Sequence, residues 1–168
     1  MSAAPEPWLR GPIDGIAPYL MPAAHALVQV GEDVVKATEG LTGEKLWARP
    51  GGAASVGFHL RHIAGATERL LTYARGEALS AEQVERAKSE QGPPRDGEDL
   101  AFLLAGVRRG IESALDELRS LPADRLLEPR EVGRAKLPSS VLGLVFHAAE
   151  HAQRHTGQLI ATAKAVRG

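Results

Sequence analysis

The chain has no cysteine among its 168 residues, and only 4% of them are aromatic. Without thiols there are no disulfides, cysteine nucleophiles or thiolate metal ligands, so any metal must be bound through nitrogen and oxygen. No segment offers the about 18 to 20 uninterrupted apolar residues of a membrane-spanning helix, and the N-terminal run MSAAPEPWLRGP lacks the pattern of a signal peptide. These absences predict a cytoplasmic protein with no membrane partner.

The chain also lacks a large excess of either positive or negative charge. Lys plus Arg number 20 and Asp plus Glu number 21, which leaves a formal net charge of -1. No overall field draws the chain to polyanions, so we expect no nucleic-acid partner. The length suits one domain over residues 1–168, in which residues 1–14 form an N-terminal extension.

The apolar residues recur mainly at intervals of three and four, a spacing typical of helices, and so predict an all-α fold. A shorter helix should follow Ser80, with the acidic Glu82 in its first turn. The Gly- and Pro-rich run QGPPRDGED and the run LPADRLLEPREVGRAKLP are predicted to be connections. Together the elements predict a four-helix bundle with long connections, a fold that commonly carries metal sites between facing helices. The four long helices are predicted from Pro18 to Thr38, from Ser55 to about Gly76, from Asp96 or Glu98 to Leu121, and from Ser139 or Ser140 to about Val166.

Five of the six histidines lie in two clusters, one on the second long helix and one on the fourth. At about 100° per residue, the three of the fourth helix fall on one face, within an arc of roughly 80°. Residues four apart are about 6 Å apart along the axis and can share an ion, whereas residues eight apart are about 12 Å apart and cannot. The clusters are His59 and His62, and His147, His151 and His155.

The fourth helix therefore supplies either His147 with His151 or His151 with His155, and the apolar stripe of the helix favours the second pair. A third nitrogen must come from the second long helix. There His59 lies nearer the middle of the apolar face and His62 nearer its margin, so periodicity alone slightly prefers His59. His25, on the first helix and apart from both clusters, is interpreted as structural.

The runs SVGFHLRHIAGATERLL and HAAEHAQRHTGQL resemble the DinB-like superfamily of metal-binding four-helix bundles. In that family the ligand of the second helix lies just before an Ile-Ala or Leu-Ala pair, which corresponds here to His62. The ligands of the last helix are the histidine before a Gly-Gln step and the one four residues earlier. The resemblance therefore implies His62, His151 and His155 as ligands, with His59 and His147 as supporting or alternative ligands. Thr156 departs from the family, which often has arginine there.

Three imidazoles would leave at least one coordination position open, an arrangement typical of catalytic sites, and they suit one divalent transition metal, Zn or Ni. The resemblance implies a metal-dependent transferase that joins a low-molecular-weight thiol to a small electrophilic substrate. Two alternatives stay open. One is a metal-dependent hydrolase, and the other is a non-enzymatic helical stress protein whose metal is structural.

Other side chains are candidates for lesser roles. Gln158 lies on the histidine side of its helix, and Tyr73 points near His62, so both are predicted to orient a ligand or substrate or to close the core. Leu142, Phe146 and Ile160 lie away from the main apolar stripe of the fourth helix and predict a homodimer contact.

Overall fold

The computed structural model describes residues 4–168, in which six α-helices and one two-stranded antiparallel sheet form. The helices are α1 Met21–Thr38, α2 Gly43–Trp47, α3 Val56–Ala74, α4 Ala81–Ser89, α5 Leu100–Ser120 and α6 Val141–Arg167. The strands are β1 Pro129–Val132 and β2 Leu137–Ser140. The predicted four-helix bundle is confirmed, since the four long helices are α1, α3, α5 and α6. None of the described helices is long and apolar enough to cross a bilayer.

The four long helices surround one apolar core, and their order around it determines which side chains meet. The extensive contacts join α3 to α6, α1 to α6, α3 to α5 and α1 to α5. Helices α1 and α3 therefore occupy opposite corners of the bundle, as do α5 and α6. The two helices that carry the histidine clusters, α3 and α6, are neighbours along their length.

Serine side chains cap the N-termini of α3, α4 and α6, at positions that the sequence predicted. The Ser55 hydroxyl accepts a hydrogen bond from the amide of Phe58 at 3.1 Å, and Ser140 caps α6 in the same way at 3.1 Å. Helix α4 follows Ser80 as predicted, but the residue that completes its capping box is Gln83. Glu82 lies in the first turn of α4, as predicted, and its carboxylate pairs with Arg86 at 2.6 Å. A box requires the third helical position, which Gln83 occupies.

Helix α5 begins later than the predicted Asp96 or Glu98, at Leu100. Gly97 adopts a left-handed φ of 75°, which interrupts the helix, and Asp99 then caps it by accepting from the amide of Phe102 at 2.8 Å. Because the helix begins at Leu100, Glu98 lies before it, and the Glu98 side chain can turn inward and be buried.

The chain crosses the bundle diagonally twice, from α1 to α3 and from α5 to α6, and each crossing needs a long connection. Both connections contain elements that were not predicted from the sequence. Residues 39–55 include α2, which buries Leu46 against the core. Residues 121–140 include the β1–β2 hairpin, in which Glu131 pairs with Pro138. Gly133 and Lys136 reverse the chain with φ values of 69° and 51°. The hairpin thus leads the chain from the end of α5 to the start of α6.

The predicted N-terminal extension, 1–14, lies partly outside the described residues, which begin at residue 4. Its described part lies along α1: Arg10 pairs with Glu32 at 2.8 Å, and His25 donates from Nε2 to the Gly11 carbonyl at 2.9 Å. His25 therefore ties the N-terminal segment to α1, in keeping with a structural role. A single domain over the whole chain stays a prediction.

The predicted dimer face on α6 is mixed in character. Phe146 is 65% exposed, Leu142 is partly buried and packs on the core of its own chain, and Ile160 is half-buried. A homodimer through this face stays a prediction, which sedimentation would test.

Candidate metal centre

Three histidines from α3 and α6 converge between the two helices. His62, His151 and His155 each offer one ring nitrogen, and the three nitrogens lie within 4.8 Å of one another. The Nε2 atoms of His62 and His151 are 2.8 Å apart, and the ring centroids of His62 and His155 are 4.3 Å apart. Metal–nitrogen bonds near 2.0 to 2.1 Å place neighbouring ligand nitrogens about 3 Å apart. The set is therefore compact enough to hold one ion.

The sequence positions of these histidines explain how they meet. His151 and His155 are one helical turn apart on α6, so their rings lie one after the other along one face of the helix, with centroids 4.6 Å apart. His62 reaches the same point from α3, across the most extensive helix contact of the bundle. Phe58, one turn before His62, stacks on its ring at 5.3 Å with an interplanar angle of 15° and limits its rotation.

The alternative histidines lie on either side of this triad. His59 is only 3% exposed, and its Nδ1 atom is 3.0 Å from Nδ1 of His155. It therefore supports His155 from the core side. His147 is exposed, and its Nδ1 atom lies 3.2 Å from a carboxylate oxygen of Glu150. The structure therefore groups His62 with the pair His151 and His155 and leaves His59 and His147 outside the compact set.

The buried rings are held in the neutral form that metal ligation requires. Burial, together with a smaller effect of the nearby His62 ring, lowers the pKa of His151 and of His155 to about 4. Burial likewise lowers the pKa of His59 to about 4. Neutral imidazoles need not lose a proton before they bind a cation, so the site is ready for one at neutral pH.

One ring nitrogen of the triad is buried without a partner: Nδ1 of His151 meets no hydrogen-bonding group among the described residues. His62, in contrast, has its Nδ1 atom 2.6 Å from a carboxylate oxygen of Glu90, to which it donates. The other nitrogen of the His62 ring, Nε2, faces Nε2 of His151 at 2.8 Å. Two imidazole nitrogens that face each other in this way are placed as two ligands of one cation would be.

Glu90 was missed by the sequence analysis, although it fixes the orientation of His62. It lies just after α4, where the run SEQGPP signals only a loop. Arg69 donates to its other oxygen at 2.5 Å. Burial alone would raise the pKa of Glu90, but the hydrogen bonds from His62 and Arg69 outweigh it and lower the pKa. Gly65 makes room for this contact, because a Cβ atom there would lie 2.5 Å from Glu90 Oε1.

We expect Glu90→Gln to weaken metal binding about 10- to 100-fold, because a carboxylate that accepts from a ligating imidazole raises its basicity and fixes its tautomer. Competition titration against a chromophoric chelator measures the affinity. Glu82→Gln is the matched control, since Glu82 is 78% exposed and touches no histidine. Equal affinities for the two variants would contradict the role of Glu90.

The loop that carries Glu90 is anchored by the buried guanidinium of Arg61. Arg61 forms a two-pronged ion pair with Glu98, in which Nε donates at 2.7 Å, and it also donates to the carbonyls of Glu90, Gly92 and Pro93. Its planar group lies 4.3 Å from the ring centre of Trp47. Because Arg61 directly precedes His62, one turn of α3 fixes both the candidate ligand and the loop that supports it.

A cleft of about 410 Å³ opens beside the triad, between α3, α4 and α6. Tyr73 is among its walls, which agrees with its predicted position near His62. Gln158 is exposed and makes no hydrogen bond to the three histidines in the described part of the chain, so its role stays a prediction. The lining residues are His62, Ala66, Arg69, Leu70, Tyr73, Leu79, Val84, Ala87, Lys88, His147 and His151. No carboxylate is among them.

Comparison with known proteins agrees with this architecture. The chain is similar to Bacillus subtilis YfiT, described as a probable metal-dependent hydrolase with an unusual four-helix bundle topology, at 16% identity and a TM-score of 0.61 over 92% of this chain and 91% of that one. Nothing among curated proteins matches the chain. The family model described as the DinB superfamily matches residues 26–159. That match spans all the histidines of the candidate centre, and the chain belongs to the DinB superfamily.

Proposed function

We propose that His62, His151 and His155 bind one divalent transition metal, zinc or nickel, and that the centre is catalytic. The observation that carries this proposal is the convergence of three imidazoles, from two helices, beside an open cleft. Three protein ligands leave a coordination position for a small molecule, as catalytic centres do and closed structural sites do not. The hydrogen bond from His62 to Glu90 adds the supporting carboxylate that ligating histidines usually have.

We propose further that the reaction transfers a low-molecular-weight thiol to a small electrophilic substrate. When bound, a divalent ion supplies Lewis acidity, which lowers the pKa of a thiol or a water molecule that reaches it. A free thiol has a pKa near 8.5, and the pKa of water is far higher, so a thiol loses its proton to a much weaker base. The cleft walls contain no carboxylate to serve as general base, and Glu90 is already engaged by His62 and Arg69. The lack of a free carboxylate in the cleft favours the thiol.

Hydrolysis is the second candidate. It is supported by the similarity to YfiT, which is described as a probable metal-dependent hydrolase. Water would then take the position of the thiol, and His147, at the exposed end of the histidine row, is a group that can accept a proton there. The non-enzymatic alternative, a metal that only braces the bundle, predicts an ion that exogenous ligands cannot reach.

Cobalt substitution distinguishes an open, catalytic centre from a metal that only braces the bundle. We expect one Co²⁺ per chain and a visible spectrum that changes when 2-mercaptoethanol is added, because an open position admits the thiol. A chelator should remove the ion and lower the melting temperature, since binding to the folded state stabilises it. A spectrum that does not respond to thiol, together with the same loss of stability on chelation, would support the brace and contradict the catalytic proposal.

A further inference from the structure

The cleft beside the triad has walls of two kinds, apolar and cationic. The apolar wall is formed by half-buried aliphatic side chains of α3, α4 and the turn between them, Leu70, Leu79 and Val84. Their carbon surface faces a space of about 410 Å³, within the range of cavities that hold small molecules. A purely polar ligand would leave that apolar surface in contact with water, so the walls favour a ligand with an apolar body.

The cationic wall is formed by Arg69 and Lys88, and no carboxylate lines the cleft. Arg69 is committed to Glu90, at 2.5 Å, and its side chain is 13% exposed. Lys88 is free to turn toward a ligand: its side chain is 67% exposed, and its nearest carboxylate is that of Glu85, 73% exposed and 3.5 Å away. An exposed pair at that distance holds a lysine only weakly. Lys88 is thus an available cation at the rim of an apolar cleft.

We propose that this cleft binds a small molecule with an apolar body and one anionic group, the body against Leu70, Leu79 and Val84 and the anion at Lys88. This inference rests on the proposed open metal centre, since the same cleft is lined by His62 and His151. It specifies the substrate class of that centre: a small amphipathic anion, bound with its reactive end toward the imidazoles. Helix α4 acts as the wall that selects it.

The test uses two thiols of equal length, 6-mercaptohexanoate and 6-mercapto-1-hexanol, on the cobalt-loaded chain. Both bring a thiol and an apolar body, but only the first brings a negative charge. We expect the acid to bind more tightly than the alcohol in the spectral titration. Lys88→Glu should weaken the acid about 5- to 20-fold, because a weak attraction becomes a repulsion of similar size, and it should leave the alcohol unchanged.

Lys136→Glu is the matched control, because Lys136 is also exposed, at 74%, lies 3.5 Å from a glutamate and does not line the cleft. It changes the net charge equally and should not alter either affinity. Val84→Trp, which fills the cleft, should weaken both thiols at least about fivefold while the melting temperature and the cobalt content are maintained.

The outcomes separate the two proposals. If both thiols perturb the cobalt spectrum with equal affinity, in the unmodified chain and in Lys88→Glu, the inference about the cleft is overturned and the open metal centre stands. If neither thiol perturbs the spectrum of a fully loaded chain, the open centre itself is overturned. An equal loss of acid binding in Lys136→Glu would assign the effect to net charge and also overturn the role of Lys88.

Discussion

His151→Ala should reduce the metal content of the purified protein from about one ion per chain to less than about a tenth. His151 is one of the three rings of the triad: its centroid lies 5.0 Å from that of His62 and 4.6 Å from that of His155. Changing a residue that only supports a ligand costs about 10- to 100-fold in affinity, so removing a ligand should cost more than about 100-fold. Elemental analysis after dialysis measures the content, and titration with zinc measures the affinity.

His147→Ala is the matched control for this experiment. It makes the same substitution one turn earlier on the same helix, at a ring that is exposed and lies outside the compact set. We expect it to retain about one ion per chain. Loss of metal from both variants would place the ion toward the exposed end of the row, and retention in both would exclude the triad as the site.

Arg61→Met should lower the free energy of unfolding by about 3 to 5 kcal/mol, a large share of the stability of an ordinary domain. The side chains of Arg61 and Glu98 are only 6% and 5% exposed. Methionine would fill much of the space but leave the Glu98 carboxylate buried without its ion-pair partner. Three loop carbonyls would also lose their donor. Urea denaturation followed by circular dichroism measures the change.

Two further variants show whether the loss of stability arises from the buried, unpaired carboxylate of Glu98. Arg61→Met combined with Glu98→Gln should recover at least about 1 kcal/mol, because the double variant buries no uncompensated carboxylate. Arg86→Met breaks an exposed pair with Glu68, at 2.7 Å, and should cost less than about 1 kcal/mol. An Arg61→Met variant as stable as Arg86→Met would contradict the idea that this pair anchors the loop.

The fold was largely predictable because its long helices carry strong local signals. Apolar periodicity indicated four long helices, and the serines at 55, 80 and 140 marked helix starts that the structure confirms. The missed elements carry weak signals. Helix α2 has five residues, too few for a period to show, and each hairpin strand has four residues and includes a proline.

At the centre, periodicity predicted burial better than it predicted which rings converge. It preferred His59, and His59 is indeed the most buried histidine of α3, but a ring in the middle of the apolar face lies behind the site. His62, at the margin, faces both α6 and the cleft, which an open coordination position requires. The family motif selected His62 over His59, because the motif marks the position of the family's ligand, whereas periodicity marks only burial against the core.

Glu90 and Arg61 lay beyond local sequence signals for another reason. Their roles depend on contacts between segments far apart in the chain: Glu90 meets His62 across 28 residues, and Arg61 meets Glu98 across 37. A glutamate in a loop and an arginine in a helix are ordinary surface residues in any local reading. Only the packing of α4 and the following loop onto α3 turns them inward.

The placement of two of the three histidines on α6 sets the order of events during synthesis. A ribosome that has released α1, α3 and α5 has made one imidazole of the triad, and those helices still expose the faces that α6 will cover. Free metal ions therefore find no complete chelating set on the nascent chain. If the triad binds an ion as proposed, the full ligand set forms only when α6 has packed against α3, so the ion binds a finished bundle and does not template one.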